Sequence, residues 1–395
     1  MDRPSPQTSR RRFLLAAGAA GLAGTLPLRA AFGALPGERR LVVVILRGGL
    51  DGLSALPPLG DPDYRGQRGE LALEAGRDAV ALDGFFGLHR SLGSLAQLWQ
   101  AGELLAVHAV ASPYRERSHF DAQDLLENGT ATPRGRADGW LGRALAAAGG
   151  GLGGLAVGQE LPLVLQGGGE VTTWSPSALP AASASFLARV ADLYAGDPLL
   201  GPALLQGLKA ANRAEQAVEG SSGPRRAEAA MAEGAGRLLA APGGPRVCVL
   251  EVGGWDTHSR QGTGAGRLAL ALGGLDAAVA ALRQALGAAW AETAVAIVTE
   301  FGRTVAPNGS GGTDHGTASC AFLAGGRVAG GRVLADWPGL SGGALREGRD
   351  LAPTLDLRAL LKGLLAGQLG LGRATLDREV FPDSSAVAPL EGLVA

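Results

Sequence analysis

The sequence predicts an α/β fold whose central sheet is mostly parallel and covered by helices on both faces. Three observations carry that expectation. Residues 41–46 are a continuous apolar run, as a strand buried on both faces requires, and residues 104–110 read as a second buried strand. Strand-like runs alternate with helical periodicity toward both ends of the chain, the pattern of a parallel sheet with helical crossovers. About 360 residues follow an unusual N-terminus, enough for one large domain or a core with an inserted cap.

The N-terminus comes first. Ser9-Arg10-Arg11-Arg12-Phe13-Leu14-Leu15 sets an arginine pair against an apolar segment that runs from Phe13 to about Leu28. The segment is short of the roughly 20 residues a spanning helix needs, and Pro27 interrupts it. Ala31 and Gly33 supply small residues for a signal peptidase, so residues 1–33 read as a twin-arginine signal peptide, with an uncleaved anchor as the alternative. Export by the twin-arginine route predicts a periplasmic or extracellular protein that meets the translocase on the way. No later segment reads as a membrane span: the longest apolar stretch, 268–298, is broken by Asp276, Arg283 and Glu292 and reads as a core helix followed by a strand.

The core elements follow in order. Strand 41–46 ends in the tight loop Arg47-Gly48-Gly49-Leu50-Asp51-Gly52. A helix is expected over 92–101, a strand over 104–110, and a helix opened by Ser118 and stopped by Asn128-Gly129. A short helix near 141–148 leads into glycines. Residues 150–245 change character: helical patterns near 186–194, 204–218 and 226–239 are joined by Gly/Pro/Ser segments, with one strand signal at 161–165. That segment reads as a mostly helical insertion between core pieces 34–149 and 246–395. Alternation then resumes with strands at 247–252 and 294–299, a helix at 268–286, a further strand near 321–324 and a closing helix over 355–365.

Composition limits the partners. Residues 1–33 hold five arginines and one acid, so without them the formal charge of −1 becomes −5. A mildly acidic surface argues against a nucleic-acid partner. There is no G-x-x-x-x-G-K-[ST] loop for a nucleotide. Cys248 and Cys320 sit in apolar runs and read as buried thiols; a single bridge stays open because export leads to an oxidising compartment.

In open parallel sheets, ligands bind at the carboxyl ends of the strands. Asp51 follows the first strand. Arg117-Ser118-His119 follows the second. Gly253-Gly254-Trp255-Asp256-Thr257-His258 follows the third. Glu300-Phe301-Gly302-Arg303 ends the fourth, with Thr313-Asp314-His315-Gly316 in its loop. Imidazole and carboxylate together suit zinc, manganese or iron. Asp256 and His258, one residue apart, can point the same way from extended backbone. Ser118 stands at a helix start, where backbone N–H groups favour an anion. Each residue also has an ordinary reading: Ser118 as an N-cap, Asp51 closing a turn, His119 packing on its helix, Asp314 and His315 on the surface. His89 and His108 read as structural.

These motifs, Arg47 to Leu53, Ser118 to Gln123, Gly253 to His258, Thr299 to Thr304 and Gly312 to Gly316, together resemble a bacterial family catalogued as domain of unknown function 1501. Its members typically carry twin-arginine leaders. The family is grouped with the alkaline phosphatase superfamily, beside sulfatases. The resemblance implies an alkaline-phosphatase-like three-layer sandwich with a helical cap insertion. It further implies a phosphate- or sulfate-ester hydrolase acting on an anionic small-molecule or polymer ester. Ser118 would be the nucleophile, with Arg303, Arg117 or His119 on the anionic group. Asp51, Asp256, His258, Glu300, Asp314 and His315 would bind one or two divalent metals, zinc foremost. His315 matches the superfamily's later histidine and Glu300 its strand-end acid; alternatively a long loop folds Asp314-His315 back to the strand end. The other reading is a non-catalytic binding or assembly protein on the same fold with a degenerate metal site.

Overall fold

The computed structural model describes residues 38–149, 151–176, 184–194, 196–198, 200–208 and 227–395. The expected signal peptide, residues 1–33, lies outside the described residues. The strands are β1 (Arg40–Leu46), β2 (Ala79–Ala81), β3 (Gly87–His89), β4 (Leu104–Ala111), β5 (Gly154–Val157), β6 (Val171–Trp174), β7 (Val247–Val252), β8 (Thr293–Thr299), β9 (Ser319–Ala324), β10 (Arg332–Leu334) and β11 (Leu355–Asp356). The helices used below are α1 (Gly52–Ala55), α2 (Tyr64–Arg68), α3 (Gly93–Gln100), α4 (His119–Asn128), α5 (Trp140–Ala148), α6 (Ala184–Tyr194), α7 (Ala227–Ala240), α8 (Arg267–Leu286) and α9 (Leu357–Leu369).

One sheet runs in the order β10-β4-β9-β8-β1-β7-β5-β6, with β11 also paired to β4. Every pairing is parallel except those of β9, which runs antiparallel to β4 and β8. The α/β class and the mostly parallel sheet therefore hold. β1 is central, and all seven of its residues are buried. Val42, Val44 and Leu46 pack on one face; Leu41, Val43 and Ile45 pack on the other. Burying each such side chain contributes roughly 1.5–3 kcal/mol, which is why a continuous apolar run, not an alternating one, fills this position.

Helices α3, α7 and α8 cover the first face, and α4, α5 and α9 the second. Asp276 of α8 receives the free N–H groups of Ser94 and Leu95 at 3.0 Å each, so the acid that interrupts the apolar stretch caps the start of α3. The stretch from Arg267 to Glu292 is long and apolar enough to cross a membrane by length and composition. Its apolar residues Leu268, Leu272, Leu275, Val279 and Leu282 nevertheless enter the core beneath the sheet.

The segment 150–245 departs from expectation. It is not simply a helical insertion: β5 and β6 extend the main sheet beyond β7, and α7 packs on the sheet face. Residues 161–165, expected as a strand, hold a single 3₁₀ turn at Leu163–Leu165. The two real strands are only four residues long and β5 opens on glycine, too short for periodicity to register. Cys248 and Cys320 are both free, buried thiols.

The register sets the level of the site. Leu46 lies opposite both Val252 and Thr299. The loops beginning at Arg47, Gly253 and Glu300 therefore leave the sheet side by side.

Candidate functional site

Two loops are brought together by close backbone contact. After β8 the chain runs out through Arg303, turns, and returns antiparallel, with Arg303 paired to His315. Gly302 N–H donates to Thr317 O at 2.9 Å and Gly316 N–H to Gly302 O at 2.8 Å. A Cβ on Gly302 would meet Ala318 O at 1.8 Å, and one on Gly316 would meet Arg303 O at 2.4 Å, so only glycine allows the two segments to touch. Thus the loop folds Asp314-His315 back beside the strand end, the second of the two sequence expectations. Thr313 N–H then donates to Thr257 O at 3.1 Å, joining this loop to the one after β7.

Three imidazoles and one carboxylate meet at that junction. Asp256 Oδ1 lies 3.0 Å from His258 Nε2, 3.2 Å from His315 Nε2 and 3.6 Å from His119 Nε2. His258 Nε2 and His315 Nε2 are 2.9 Å apart. One donor atom from each of His119, Asp256 and His315 lies within 4.8 Å of the others. Phe301 forms an apolar wall against His119 and His315, with ring centroids 4.7 and 5.0 Å away.

Each imidazole is held from behind through Nδ1. His119 Nδ1 is 2.9 Å from Glu300 Oε1, His258 Nδ1 is 3.0 Å from Asp314 Oδ1, and His315 Nδ1 is 3.0 Å from Arg117 O. Carboxylate and carbonyl oxygens only accept, so each Nδ1 carries a proton and each ring turns its Nε2 toward Asp256. Outward-held imidazoles of this kind are how proteins orient metal-ligating histidines. His119 Nε2 is buried and has no hydrogen-bond partner. With both Nε2 atoms deprotonated, lone pairs facing across 2.9 Å would repel unless a positive centre sat between them. In a tetrahedral site with ligand bonds of about 2.0–2.1 Å, donor atoms stand about 3.3 Å apart. The separations from Asp256 to each imidazole and between His258 and His315, 2.9 to 3.6 Å, bracket that spacing. His119, Asp256 and His315 therefore fit a divalent cation, and His258 Nε2 lies close enough to Asp256 and His315 to join them.

The electrostatics agree with this reading. Glu300 is buried, yet its carboxyl lies below its ordinary pKa: burial pushes it up, and hydrogen bonds from His119 and Gln123 outweigh that. Gln123 reaches the same Oε1 at 3.1 Å, one helical turn after His119 on α4. The Glu300 bond raises His119 above the ordinary imidazole value, against the opposing effect of burial. Burial likewise raises Asp256, but the guanidinium of Arg303, 2.6 Å away, brings it below the usual range. Arg117 has φ +63, a conformation that costs an L-residue roughly 1–2 kcal/mol. Asp350 grips its guanidinium at 2.8 Å while its carbonyl receives His315.

The predicted set is thereby rearranged. Asp256, His258 and His315 come together as expected. Glu300 and Asp314, expected as ligands, stand behind two of the imidazoles. His119, expected on an anion, joins the cluster itself. Arg303, expected on the same anion, is buried; besides Asp256 it bonds the hydroxyl and carbonyl oxygens of Thr313. Asp51, expected as a ligand, is buried against Arg68, with Arg68 Nη2 2.5 Å from Asp51 Oδ2. Ser54 Oγ at 2.8 Å and Gln261 Nε2 at 2.6 Å donate to the same oxygen. Ser118 occupies the N-cap position of α4, but its side chain makes no capping bond. It lies between Arg117 and His119, both of which touch the cluster.

Arg68 and Gln261 had no sequence signal. Arg68 sits in the short helix α2 with no motif around it, and Gln261 is one polar residue in a loop. His119 had one: it directly follows the helix-opening serine after a rim strand.

Fold and site thus define an α/β protein with an imidazole–carboxylate centre on the carboxyl rim of its sheet. The chain belongs to the family described as Protein of unknown function (DUF1501), whose model matches residues 38–380. Among curated proteins no match is found.

Proposed function

We propose that this protein is an exported, metal-dependent hydrolase of phosphate or sulfate esters on an alkaline-phosphatase-like fold. The observation that carries the reading is the convergence of three Nε2 atoms on Asp256, each ring fixed through Nδ1. His119, His258, His315 and Asp256 would hold one divalent cation, with zinc foremost and manganese or iron as alternatives. Such a cation, when bound, neutralises negative charge that develops on the ester oxygens. Ser118 is the nucleophile: its hydroxyl is not spent on capping, and the first-turn N–H groups of α4 beside it favour an anionic group. Phe301 shields the imidazoles from water on one side. Residues 1–33 direct twin-arginine export, so the site works in the periplasm or outside the cell. Replacing Arg10, Arg11 and Arg12 together by lysine should trap the protein in the cytoplasm; unchanged export would refute that route.

The test of the activity is turnover of aryl phosphate and aryl sulfate esters by exported protein, with and without chelator, beside Ser118→Ala. The reading expects cation-dependent turnover that the serine variant loses. Metal-free protein with no turnover of either ester would overturn it.

A second reading, a binding or assembly protein with the same cation site, is favoured by one observation. Arg117, Arg303 and Arg349 border the cluster, yet each is committed to protein acceptors. This reading expects chelator to lower the melting temperature without any turnover to lose. At a free cation concentration of 100 Kd the stabilisation is about 2.7 kcal/mol, well within reach of a melt.

A further inference from the structure

We infer that the rim takes a single cation and that the Arg68 guanidinium is the fixed positive charge serving Asp51. The inference rests on the cation site proposed above. Two aspartates follow parallel rim strands closely, Asp51 after β1 and Asp256 after β7. The imidazoles of His119, His258 and His315 all gather at Asp256. None of the five histidines has a ring nitrogen bonded to Asp51: His89 binds Thr263 O and Ser91 N–H, and His108 accepts from Ala109 N–H. Asp51 and Arg68 have 1% and 0% of their side chains exposed, so neither charge can be left unpaired. Asp51 Oδ2 already receives three donors, from Arg68, Ser54 and Gln261. That oxygen has no lone pair left to offer a metal, and Oδ1, buried without a hydrogen-bond partner, has no ring nitrogen bonded to it.

Arg68 is itself locked in place. Its Nη1 donates to Val305 O at 2.9 Å and Thr304 O at 3.3 Å, and a guanidinium does not lose its proton. A second divalent ion at Asp51 would sit against a permanent, immobile cation with no imidazole to help hold it, whereas at Asp256 three imidazoles stand beside the Arg303 guanidinium. Asp51 is joined to the cluster only through further donors. Gln261 Oε1 accepts from Thr313 Oγ1 at 2.8 Å, Arg303 Nε donates to that hydroxyl at 3.2 Å, and Arg303 Nη1 reaches Asp256. Asp51 and Asp256 each meet a buried guanidinium, Arg68 and Arg303, but only Asp256 also meets imidazoles, which in this inference adds an exchangeable ion there.

The experiment is metal stoichiometry of the exported chain, loaded with excess zinc, desalted and measured by elemental analysis and native mass spectrometry. The expected result is one zinc per chain. Two zincs per chain would overturn this inference and leave the proposed cation site standing; no zinc at all would overturn both. The neutral pair Asp51→Asn with Arg68→Gln removes the two buried charges together and so avoids leaving either unpaired. Zinc affinity of that variant within about threefold of wild type supports the inference, since direct partners of a metal site cost about 10–100-fold. A loss of tenfold or more would place Asp51 in the metal site and overturn it.

Discussion

Asp256 and Asp51 occupy matching places, each just beyond the carboxyl end of a parallel strand, yet their surroundings have little in common. The Asp256 side chain is 44% exposed and faces three imidazoles beside the Arg303 guanidinium; that of Asp51 is 1% exposed and faces the Arg68 guanidinium with no imidazole bonded to it. The first neighbourhood leaves a buried imidazole nitrogen of His119 unpartnered; the second saturates Asp51 Oδ2 and leaves only its Oδ1 without a partner. The contrast teaches that an acid on a strand end is a ligand or a structural ion according to what returns from elsewhere in the chain. For Asp256 that is the β8 loop and the start of α4. For Asp51 it is α2.

The largest expected effect lies on the Asp51 side. Arg68→Met leaves a buried carboxylate unpaired, and the fold should lose about 3–5 kcal/mol in denaturant unfolding. A loss under about 1 kcal/mol would show the pair to be dispensable and break the contrast. His108, packed near α1 between Phe86 and Trp337, makes the same region acid-sensitive. Burial depresses its imidazole from the ordinary 6.5 to about 4. Between those values the unfolded chain binds a proton that the native state does not. Stability is thus complete above pH 6.5 and should fall by about 3 kcal/mol as pH drops to 4. His108→Asn should flatten the pH dependence of unfolding in that window; an unchanged slope would contradict the assignment.

On the Asp256 side, His258→Ala should cost at least about 100-fold in zinc affinity, because a direct ligand matters no less than the groups that orient it. The melting temperature of the cation-free protein should barely move, since the ring is nearly half exposed. Asp314→Asn gives the smallest effect. It weakens the hold on His258 Nδ1 and should lower zinc affinity by about tenfold without altering cation-free stability. Isothermal titration on both variants reads the difference; equal losses would mean that Asp314 binds the ion itself.

Much of this was legible in the chain. The strands at β1, β4, β7 and β8 showed themselves as apolar runs because burial on both faces forces that composition. The order of motifs after those strands placed His119, Asp256, His258 and His315 on one rim. Ring orientation was not legible, since the acceptor behind His315 is a backbone carbonyl in a left-handed residue, which no side chain announces. The Asp51–Arg68 pair was hidden because Arg68 belongs to a five-residue helix without a pattern. The strands β5 and β6 were hidden by their length.

The claim on which the rest depends is that His119, His258, His315 and Asp256 hold one ion. Anomalous diffraction at the zinc edge, from crystals of zinc-loaded protein, tests it most directly. The account predicts one peak per chain, about 2.0–2.2 Å from the three Nε2 atoms and from Asp256. A peak beside Asp51, or none at the imidazoles, would contradict it.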